Sequence, residues 1–260
     1  MSDTALIHGT QAPLNALIVG ASGGIGAALV RQLAADSRVG HLFAAARTAR
    51  TNADLVALAL QQPHRITLLD CDVCDEASLA ALAHAIGASV PGLQLCINAT
   101  GLLHSATLQP EKALTQVTLA SLQATFAVNA FAPLLLAKAL LPLLRTAGPC
   151  VFASLSARVG SIGDNRSGGW YGYRAAKAAQ NQLLHTLAIE LRRLNPQSIV
   201  LALHPGTTDT NLSRPFQGNV AAHKLFTPDF VASALLAVIG ARRPEDSGGF
   251  YAWDGAAIEW

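Results

Sequence analysis

The sequence predicts a single α/β domain, with a doubly wound, seven-stranded parallel sheet and helices on both faces. Seven short apolar segments alternate with longer stretches of helical periodicity, which is the arrangement of successive βαβ units. The chain of 260 residues is 51% hydrophobic and 13% charged, with a mean hydropathy of +0.35. Such a composition is typical of strands that are covered on both faces. We therefore expect one domain over residues 1–260, with residues 1–13 as a short flexible lead-in.

The strands are predicted from the apolar segments and the helices from the periodic stretches between them. We expect strands at residues 16–19, 41–46, 66–69, 93–97, 150–153, 199–203 and 250–253. Right-handed crossovers then give the strand order 3-2-1-4-5-6-7. Ligands of such sheets bind beyond the carboxyl ends of the strands, so that edge is where a site is expected.

Composition excludes several classes of function. The formal net charge is +2, from 18 basic and 16 acidic residues, and no basic cluster suits a nucleic acid or an anionic membrane surface. The apolar segment 125–144 is interpreted as a buried or interface helix, because it contains Asn129, Lys138 and two prolines. Residues 1–13 lack the pattern of a secretory signal, so we expect a cytoplasmic protein.

The cysteines are expected to be reduced and structural. Four of them lie in or beside apolar strands, at positions 71, 74, 96 and 150. Cys71 and Cys74 form a C-x-x-C pair, but no second pair of cysteines or histidines accompanies it at the spacing of a zinc site. We expect no metal.

A glycine-rich turn follows the first predicted strand and precedes a helical segment at 27–34. Glycine allows a tight turn and a close approach of the backbone to a ligand. The N–H groups at the start of the helix favour a phosphate, as in dinucleotide-binding proteins. The residues that we expect to bind the cofactor here are Gly20, Ser22, Gly23, Gly24, Ile25 and Gly26.

The end of the second strand distinguishes the two nicotinamide cofactors. An acidic residue about twenty residues after the glycines would bind the ribose 2′-hydroxyl of NAD. The sequence has Arg47 there instead, and a guanidinium can bind a 2′-phosphate. NADP(H) is therefore preferred, with NAD(H) as the alternative. After the third strand, Asp72 and Val73 are expected at the adenine, although an aspartate in this turn also suits a cap of the helix that follows Asp75.

Tyr173 and Lys177 lie four residues apart on one predicted helix, which brings their side chains together. An ammonium beside a phenol favours the anionic form and lowers the pKa of the phenol. Such a tyrosine suits proton transfer to or from a substrate oxygen. The same spacing also occurs in ordinary amphipathic helices, so the pair gains its meaning from the other motifs.

Together these motifs resemble the short-chain dehydrogenase/reductase family over nearly the whole chain. Its glycine turn is matched by Gly20, Gly24 and Gly26, and its Y-x-x-x-K pair by Tyr173 and Lys177. Further matches are Asn98-Ala99-Thr100-Gly101 for N-N-A-G, Asn129 for the helix asparagine, and Pro205-Gly206 with Thr210 for P-G-x-x-x-T. The similarity is greatest to the C-factor and sniffer-type branch, which contains carbonyl reductases and proteins named for developmental signalling.

The resemblance implies a Rossmann fold and assigns roles to further residues. Asn129 would connect Lys177 to solvent through water. Cofactor contacts are implied for Asn98, Ala99, Gly101, Tyr173, Lys177, Pro205, Gly206, Thr207 and Thr210.

The catalytic serine of the family is out of register in this chain. In the family pattern S-x-x-G, the serine stands three residues before the glycine. The residue three before Gly160 is Ala157, and Ser156 stands one residue earlier. Ser156 fills the role if a bulge follows the fifth strand, since a one-residue slip otherwise turns its side chain to the other face. The alternatives are that the hydroxyl is missing, or that Ser154 or Ser161 supplies it.

These features predict an NADP(H)-dependent oxidoreductase that moves hydride between nicotinamide and a small carbonyl or alcohol substrate. Tyr173, Lys177, Ser156 and Asn129 are its expected catalytic residues. Segment 208–224 and the insertion 163–170 are expected to shape the substrate site. A homodimer or homotetramer is expected, mostly from the resemblance. The alternative function is a nucleotide-binding signalling or regulatory protein with little or no turnover.

Overall fold

The computed structural model describes residues 5–11, 13–146 and 148–260, apart from the side chain of residue 219. Seven parallel strands form one sheet in the order β3-β2-β1-β4-β5-β6-β9, which confirms the predicted α/β fold and strand order. These strands are β1 Leu14–Val19, β2 Val39–Ala46, β3 Ile66–Asp70, β4 Leu95–Asn98, β5 Cys150–Leu155, β6 Ser198–His204 and β9 Gly249–Ala252. Two short strands, β7 Thr207–Thr208 and β8 Leu225–Phe226, pair separately.

Helices cover both faces of the sheet. They are α1 Gly24–Ala35, α2 Ala53–Gln61, α3 Glu76–Ser89, α4 Leu119–Phe126, α5 Ala132–Leu144, α6 Tyr171–Leu194 and α7 Pro228–Ala241. The core on one face joins the sheet to α1, α2 and α7, and the core on the other joins it to α3, α5 and α6. Neighbouring strand residues such as Leu17 and Ile18 face opposite cores and are both fully buried. This explains why the strands appear in the sequence as continuous apolar segments.

One long helical stretch, Leu119–Leu144, meets the length and composition of a membrane span, with a mean hydropathy of 1.8 in its most apolar part. In the structure it consists of α4, a π-helical segment over Ala127–Phe131, and α5. Leu136, Leu140 and Leu144 are in the core against α3 and α6. The inner side of this stretch is therefore protein-covered.

Part of the predicted lead-in packs against the domain. Ile7 is fully buried and Leu6 is 8% exposed, and both belong to the core that contains α7. Burial of two large apolar side chains favours an ordered segment. Residues 1–4 and 12 of the predicted lead-in lie outside the described residues.

The four cysteines are free thiols, as expected for a structural role. Cys71, Cys96 and Cys150 are buried and Cys74 is exposed. Burial raises the pKa of Cys150 to about 12 and also raises that of Cys96, so these two thiols stay protonated near neutral pH.

Candidate active site

Two adjoining spaces open at the carboxyl ends of β1, β4, β5 and β6. The first, which we call the main cleft, runs from the glycine turn and the end of β2 to Tyr173 and Lys177. The second, the apolar cavity, has a volume of about 310 Å³ and lies beneath the segment that follows β6. Tyr173 lines both spaces. The predicted site residues therefore converge on the edge of the sheet where a ligand is expected.

The glycine turn has the geometry that the sequence predicts for a phosphate cradle. Gly20 has a φ of +85°, which strongly favours glycine, and a Cβ on Gly26 would collide with the carbonyl oxygen of Gly20. A Cβ on Gly24 would lie 2.6 Å from Cγ2 of Thr210. Helix α1 starts at Gly24 without a side-chain cap and with no acidic residue in its first turn. Its first N–H groups are thus available to an anion in the cleft.

Arg47 lies at the mouth of the main cleft, directly after β2. Its side chain is exposed and makes no hydrogen bond or ion pair with the described residues. Arg50, three residues later, is engaged with β3: its Nε donates to the carbonyl oxygen of Leu68, and its backbone N–H to Asp70. A free guanidinium at this position suits a phosphate of the cofactor.

Asp72 and Val73 line the same end of the main cleft. Oδ1 of Asp72 accepts the backbone N–H of Cys74 at 2.9 Å, so the carboxylate stabilises its own turn. The helix cap is made by Asp75, which accepts the N–H of Ala77 at the start of α3. Asp72 is therefore free of the capping role and remains a candidate contact of adenine.

Two predicted residues line neither the main cleft nor the apolar cavity. Asn98 is 1% exposed and does not line the main cleft: its Nδ2 donates to Ser154, and its Oδ1 accepts from Thr100. It connects β4 to β5. Asn129, in the π-helical segment, is fully buried and bonds to the backbone of Leu102 and Thr125. No hydrogen bond of its side chain reaches Lys177 within the described chain. The remaining predicted cofactor residues line the main cleft or the apolar cavity, namely Ala99, Gly101, Pro205, Gly206, Thr207 and Thr210.

Tyr173 and Lys177 are packed together as the spacing predicts, but their protonation differs from expectation. Nζ of Lys177 lies 5.8 Å from the centroid of the Tyr173 ring. Burial raises the pKa of Tyr173 and lowers the pKa of Lys177 to about 7. Removal from water disfavours both charged forms, and this effect outweighs the attraction that was expected to lower the pKa of Tyr173.

Ser156 lines the main cleft and the apolar cavity beside Tyr173, but its hydroxyl is engaged by helix α6. The pairing of β5 with β6 continues without a bulge, and the N–H of Ser156 donates to Leu203 in β6. Its Oγ donates to Oδ1 of Asn181 in α6 at 2.6 Å. Ala157, the next residue, lines the apolar cavity together with Tyr173. The bulge that the sequence interpretation invoked is absent from the described pairing of β5 with β6, and the catalytic role of Ser156 stays a prediction.

The two alternative serines are also engaged elsewhere. Ser154 is fully buried in β5 and accepts hydrogen bonds from Asn98 and Gln180. Oγ of Ser161 accepts the backbone N–H of Asp164. Neither residue lines the apolar cavity. Each of the three serine hydroxyls thus has a hydrogen-bond partner in the described chain, and the choice between these alternatives stays a prediction.

The apolar cavity is bounded by aromatic and aliphatic side chains. Trp170 packs edge-on against Phe216, with ring centroids 5.1 Å apart, and against Tyr173 at 6.2 Å. Trp170 has a φ of 52°, a left-handed conformation that is rare outside glycine, at the residue just before α6. Further apolar lining comes from Ile25, Leu103, Val159, Leu212 and Val220.

The apolar cavity also has polar lining residues, and one of them was missed by the sequence interpretation. Nδ1 of His204 accepts the backbone N–H of Arg158 at 3.3 Å, and burial lowers the pKa of His204 to about 4. The imidazole is therefore neutral, with its proton on Nε2. The sequence signal for His204 is its position immediately before Pro205. The side chain of Arg158, at the same cavity, pairs with Asp164 at 2.6 Å.

Segment 208–224 contributes unevenly to the site. Phe216 lines the apolar cavity and Asn211 lines the main cleft. Arg214 is 3.8 Å from Asp209 in an exposed ion pair, and His223 lines neither space. The predicted role of the segment in shaping the site thus falls on its inner residues.

A deeper residue that the sequence interpretation missed is Gln180, which bonds directly to Lys177. It lies three residues after Lys177 on α6, so the spacing i to i+3 was the available signal. Its amide is 1% exposed, as expected of a polar group only when it is hydrogen-bonded.

Comparisons with known proteins place this architecture in a family. The family model described as short chain dehydrogenase matches residues 14–220. A similar solved structure is NADPH-bound carbonyl reductase from chicken fatty liver, with 28% identity, a TM-score of 0.85, and coverage of 96% of this chain and all of that one. Another is the carbonyl reductase Sniffer of Drosophila melanogaster, with 27% identity, a TM-score of 0.83, and coverage of 95% and 99%.

A curated relative by sequence is C-signal of Myxococcus xanthus, 36% identical over 149 residues, which are 57% of this chain and 84% of that protein. With the cradle of glycines, the paired Tyr173 and Lys177, and a family match over most of its length, the chain belongs to the short chain dehydrogenase family and is an NAD(P)-dependent oxidoreductase.

Proposed function

We propose that the protein is an NADP(H)-dependent carbonyl reductase in which Tyr173 is the acid/base. The observation that carries this proposal is the position of Tyr173 at the boundary between the main cleft and the apolar cavity. A group placed there can reach a substrate carbonyl that lies against a cofactor in the cleft. The similarity to two carbonyl reductases, one of them NADPH-bound, supports the same reaction class.

The residues of the main cleft fit a dinucleotide. A side chain on Gly26 would fill the cradle, and the start of α1 presents free N–H groups. The guanidinium of Arg47 would bind the 2′-phosphate of NADP(H). A carboxylate at the end of β2 would favour NAD(H), and the sequence has none there. We infer a preference for NADP(H), with weaker use of NAD(H).

The bound nicotinamide supplies the hydride. Because burial raises its pKa, Tyr173 is protonated at neutral pH and can donate its proton to the alkoxide that develops on the substrate. Lys177, at 5.8 Å from the ring, contributes a positive charge when it is protonated and a donor toward the cofactor ribose. The reverse reaction needs the phenolate, so alcohol oxidation should increase at alkaline pH.

The apolar cavity supports a carbonyl substrate with an aromatic or aliphatic body. Trp170, Phe216 and Leu212 provide contact area but few hydrogen bonds. Since Ala157 stands at the position of the family serine and Oγ of Ser156 donates to Asn181, we expect Tyr173 to be the main donor to the carbonyl oxygen. We therefore expect reactive aldehydes and quinones to be better substrates than simple ketones.

The assembly and compartment remain predictions. Leu119 and Phe131 of the long helical stretch and Ile189 of α6 are at least half exposed. Burying these side chains against a second copy would be favourable, which agrees with the predicted homodimer or homotetramer. Light scattering of the purified chain tests this, and a monomer at micromolar concentration would contradict it. A cytoplasmic location is likewise retained as a prediction.

The test of the proposed function is NADPH oxidation with a panel of aldehydes, quinones and ketones. Tyr173→Phe should lower kcat about 100-fold or more, because it removes the proton donor and leaves the ring in place. Tyr171→Phe, two residues away and 43% exposed, is the matched control and should keep the parent rate. Turnover that is unchanged in Tyr173→Phe would contradict the assignment.

A second candidate function is nucleotide-dependent signalling or regulation with little turnover. Ala157 at the serine position and the similarity to C-signal favour it. The same panel separates the two functions. Tight NADPH binding without oxidation by any compound of the panel would support the regulatory function.

A further inference from the structure

The side-chain amine of Lys177 is held by a buried glutamine to which the proposed reaction assigns no role. Nζ donates to Oε1 of Gln180 at 2.8 Å and to the carbonyl oxygen of Leu155, also at 2.8 Å. Lys177 is 2% exposed and Gln180 is 1% exposed. A buried amine of this kind requires acceptors, because an unpaired donor removed from water is strongly destabilising.

Gln180 is itself fixed by the strand behind it. Its Nε2 donates to Oγ of Ser154 at 2.8 Å, and the same oxygen accepts Nδ2 of Asn98 at 3.0 Å. Oδ1 of Asn98 accepts from Oγ1 of Thr100, which lines the main cleft. A continuous series of hydrogen bonds therefore leads from Lys177 through β5 and β4 to the wall of the cleft.

These partners fix the orientation of the Gln180 amide. Nε2 also contacts the carbonyl oxygen of Leu155 at 3.2 Å. If the amide were turned over, its NH2 group would face the amine of Lys177, and its oxygen would face the carbonyl of Leu155. A donor would then face a donor at Lys177, and an acceptor would face an acceptor at Leu155, both away from water. The oxygen of Gln180 must therefore point at Lys177.

Few other groups act on Lys177. Strand β5 presents Ser154 and the carbonyl of Leu155, and the turn after β5 presents the backbone of Gly160. Helix α6 presents Tyr173, whose ring centroid is 5.8 Å from Nζ. Within the described chain, Tyr173 is the titratable side chain among these neighbours. The amide oxygen of Gln180 is therefore a principal polar contact of the amine.

We propose that Gln180 is a positioning residue that fixes Nζ of Lys177 at the end of β5 and stabilises its ammonium form. A hydrogen bond from a charged donor is roughly twice as strong as one from a neutral donor, so an acceptor at 2.8 Å favours the protonated amine. The inference rests on the proposed function, in which Lys177 acts on Tyr173 and the cofactor ribose.

Two substitutions of Gln180 should change Lys177 in opposite directions. Gln180→Glu places a carboxylate at the amine and should raise the pKa of Lys177 by about one unit or more. Gln180→Met removes the acceptor with little change of shape and should lower that pKa. Gln182→Met, an exposed glutamine on the same helix, is the matched control and should leave the pKa unchanged.

NMR with isotope-labelled lysine measures this directly in the full chain. The sequence contains four lysines, at positions 112, 138, 177 and 224, so the titration follows four signals. Lys177→Met identifies the signal of Lys177 by its loss. In an active protein, the pH profile of kcat for reduction should shift in the same two directions, which a merely structural role would not produce.

Equal pKa values of Lys177 in the parent, Gln180→Glu and Gln180→Met would overturn the inference, and so would shifts of the same sign. If circular dichroism shows that Gln180→Glu is unfolded, Gln180→Met decides alone, and an unchanged pKa overturns the inference. Because the titration needs no turnover, an inactive protein would contradict the proposed function without affecting this test.

Discussion

The two sides of the main cleft are built differently. The buried side, formed by β5 and α6, holds Lys177 and Gln180 in a connected set of hydrogen bonds at 1–2% exposure. The outer side, formed by the segments after β2 and β6, presents Arg47 at the main cleft, with no hydrogen bond or ion pair among the described residues. It also presents the half-buried Phe216 at the adjoining apolar cavity, on a segment that contains two-residue strands. Buried polar groups tolerate few arrangements, whereas exposed side chains can be exchanged at low cost. In the proposed function, the buried side would carry the chemistry and the outer side would select what is bound.

The largest effect should follow from breaking the buried side at Lys177. Lys177→Met should lower kcat about 100-fold or more, because Tyr173 loses its charged neighbour and the cofactor ribose loses a donor. Burial lowers the pKa of Lys177 to about 7, from 10.5 for the free side chain. Between these values the unfolded chain binds a proton that the folded chain lacks, so the stability of the parent rises with pH.

Denaturant unfolding near pH 7 and near pH 10 measures that dependence. The parent should gain up to a few kcal/mol over this range, and the gain should be reduced in Lys177→Met. An equally steep dependence in both proteins would show that Lys177 is not the buried titrating group.

On the outer side, Arg47→Ala should weaken NADPH binding by about 10- to 100-fold, as expected for the loss of hydrogen bonds between charged groups. NADH binding should remain unchanged, because NADH lacks the 2′-phosphate. Fluorescence titration with both cofactors measures this, with Arg31→Ala, whose side chain pairs with Asp229, as the control. Equal affinities for the two cofactors in the parent would remove the argument for NADP(H).

Phe216→Ala tests whether the outer side selects the substrate. Removing this ring from the apolar cavity should raise KM for bulky aromatic carbonyl compounds about tenfold and change kcat little. Steady-state kinetics with a large and a small aldehyde measures the difference. If kcat falls as much as kcat/KM does, Phe216 acts on the reaction itself and not only on binding.

The smallest effect is expected where the two sides meet, at Ala157. Ala157→Ser should raise kcat a few-fold, by adding a hydroxyl donor where the family has one. Ala157→Cys, of similar size but with a weak donor, is the control. No gain in Ala157→Ser would show that the added hydroxyl does not reach the substrate oxygen.

Much of the fold and part of the site could be predicted from local patterns. The strands of the sheet can be predicted because their residues are apolar on both sides. Gly20 and Gly26 can be predicted because no other residue fits their conformations and contacts. Ser156 shows the limit of such prediction. Its serine suggested a substrate contact, but the direction of its hydroxyl depends on Asn181, twenty-five residues away in the sequence.

The sequence by itself determined the α/β fold, the glycine cradle and the pairing of Tyr173 with Lys177, because each follows from the spacing of residues within one or two elements. The tertiary structure alone decided the burial of Ile7, the connection of Asn98 to Ser154, and the contact of Gln180 with Lys177. It also decided the pKa directions of Tyr173 and Lys177. These properties depend on which distant segments exclude water from a residue, and removal from water is set by packing and not by local spacing.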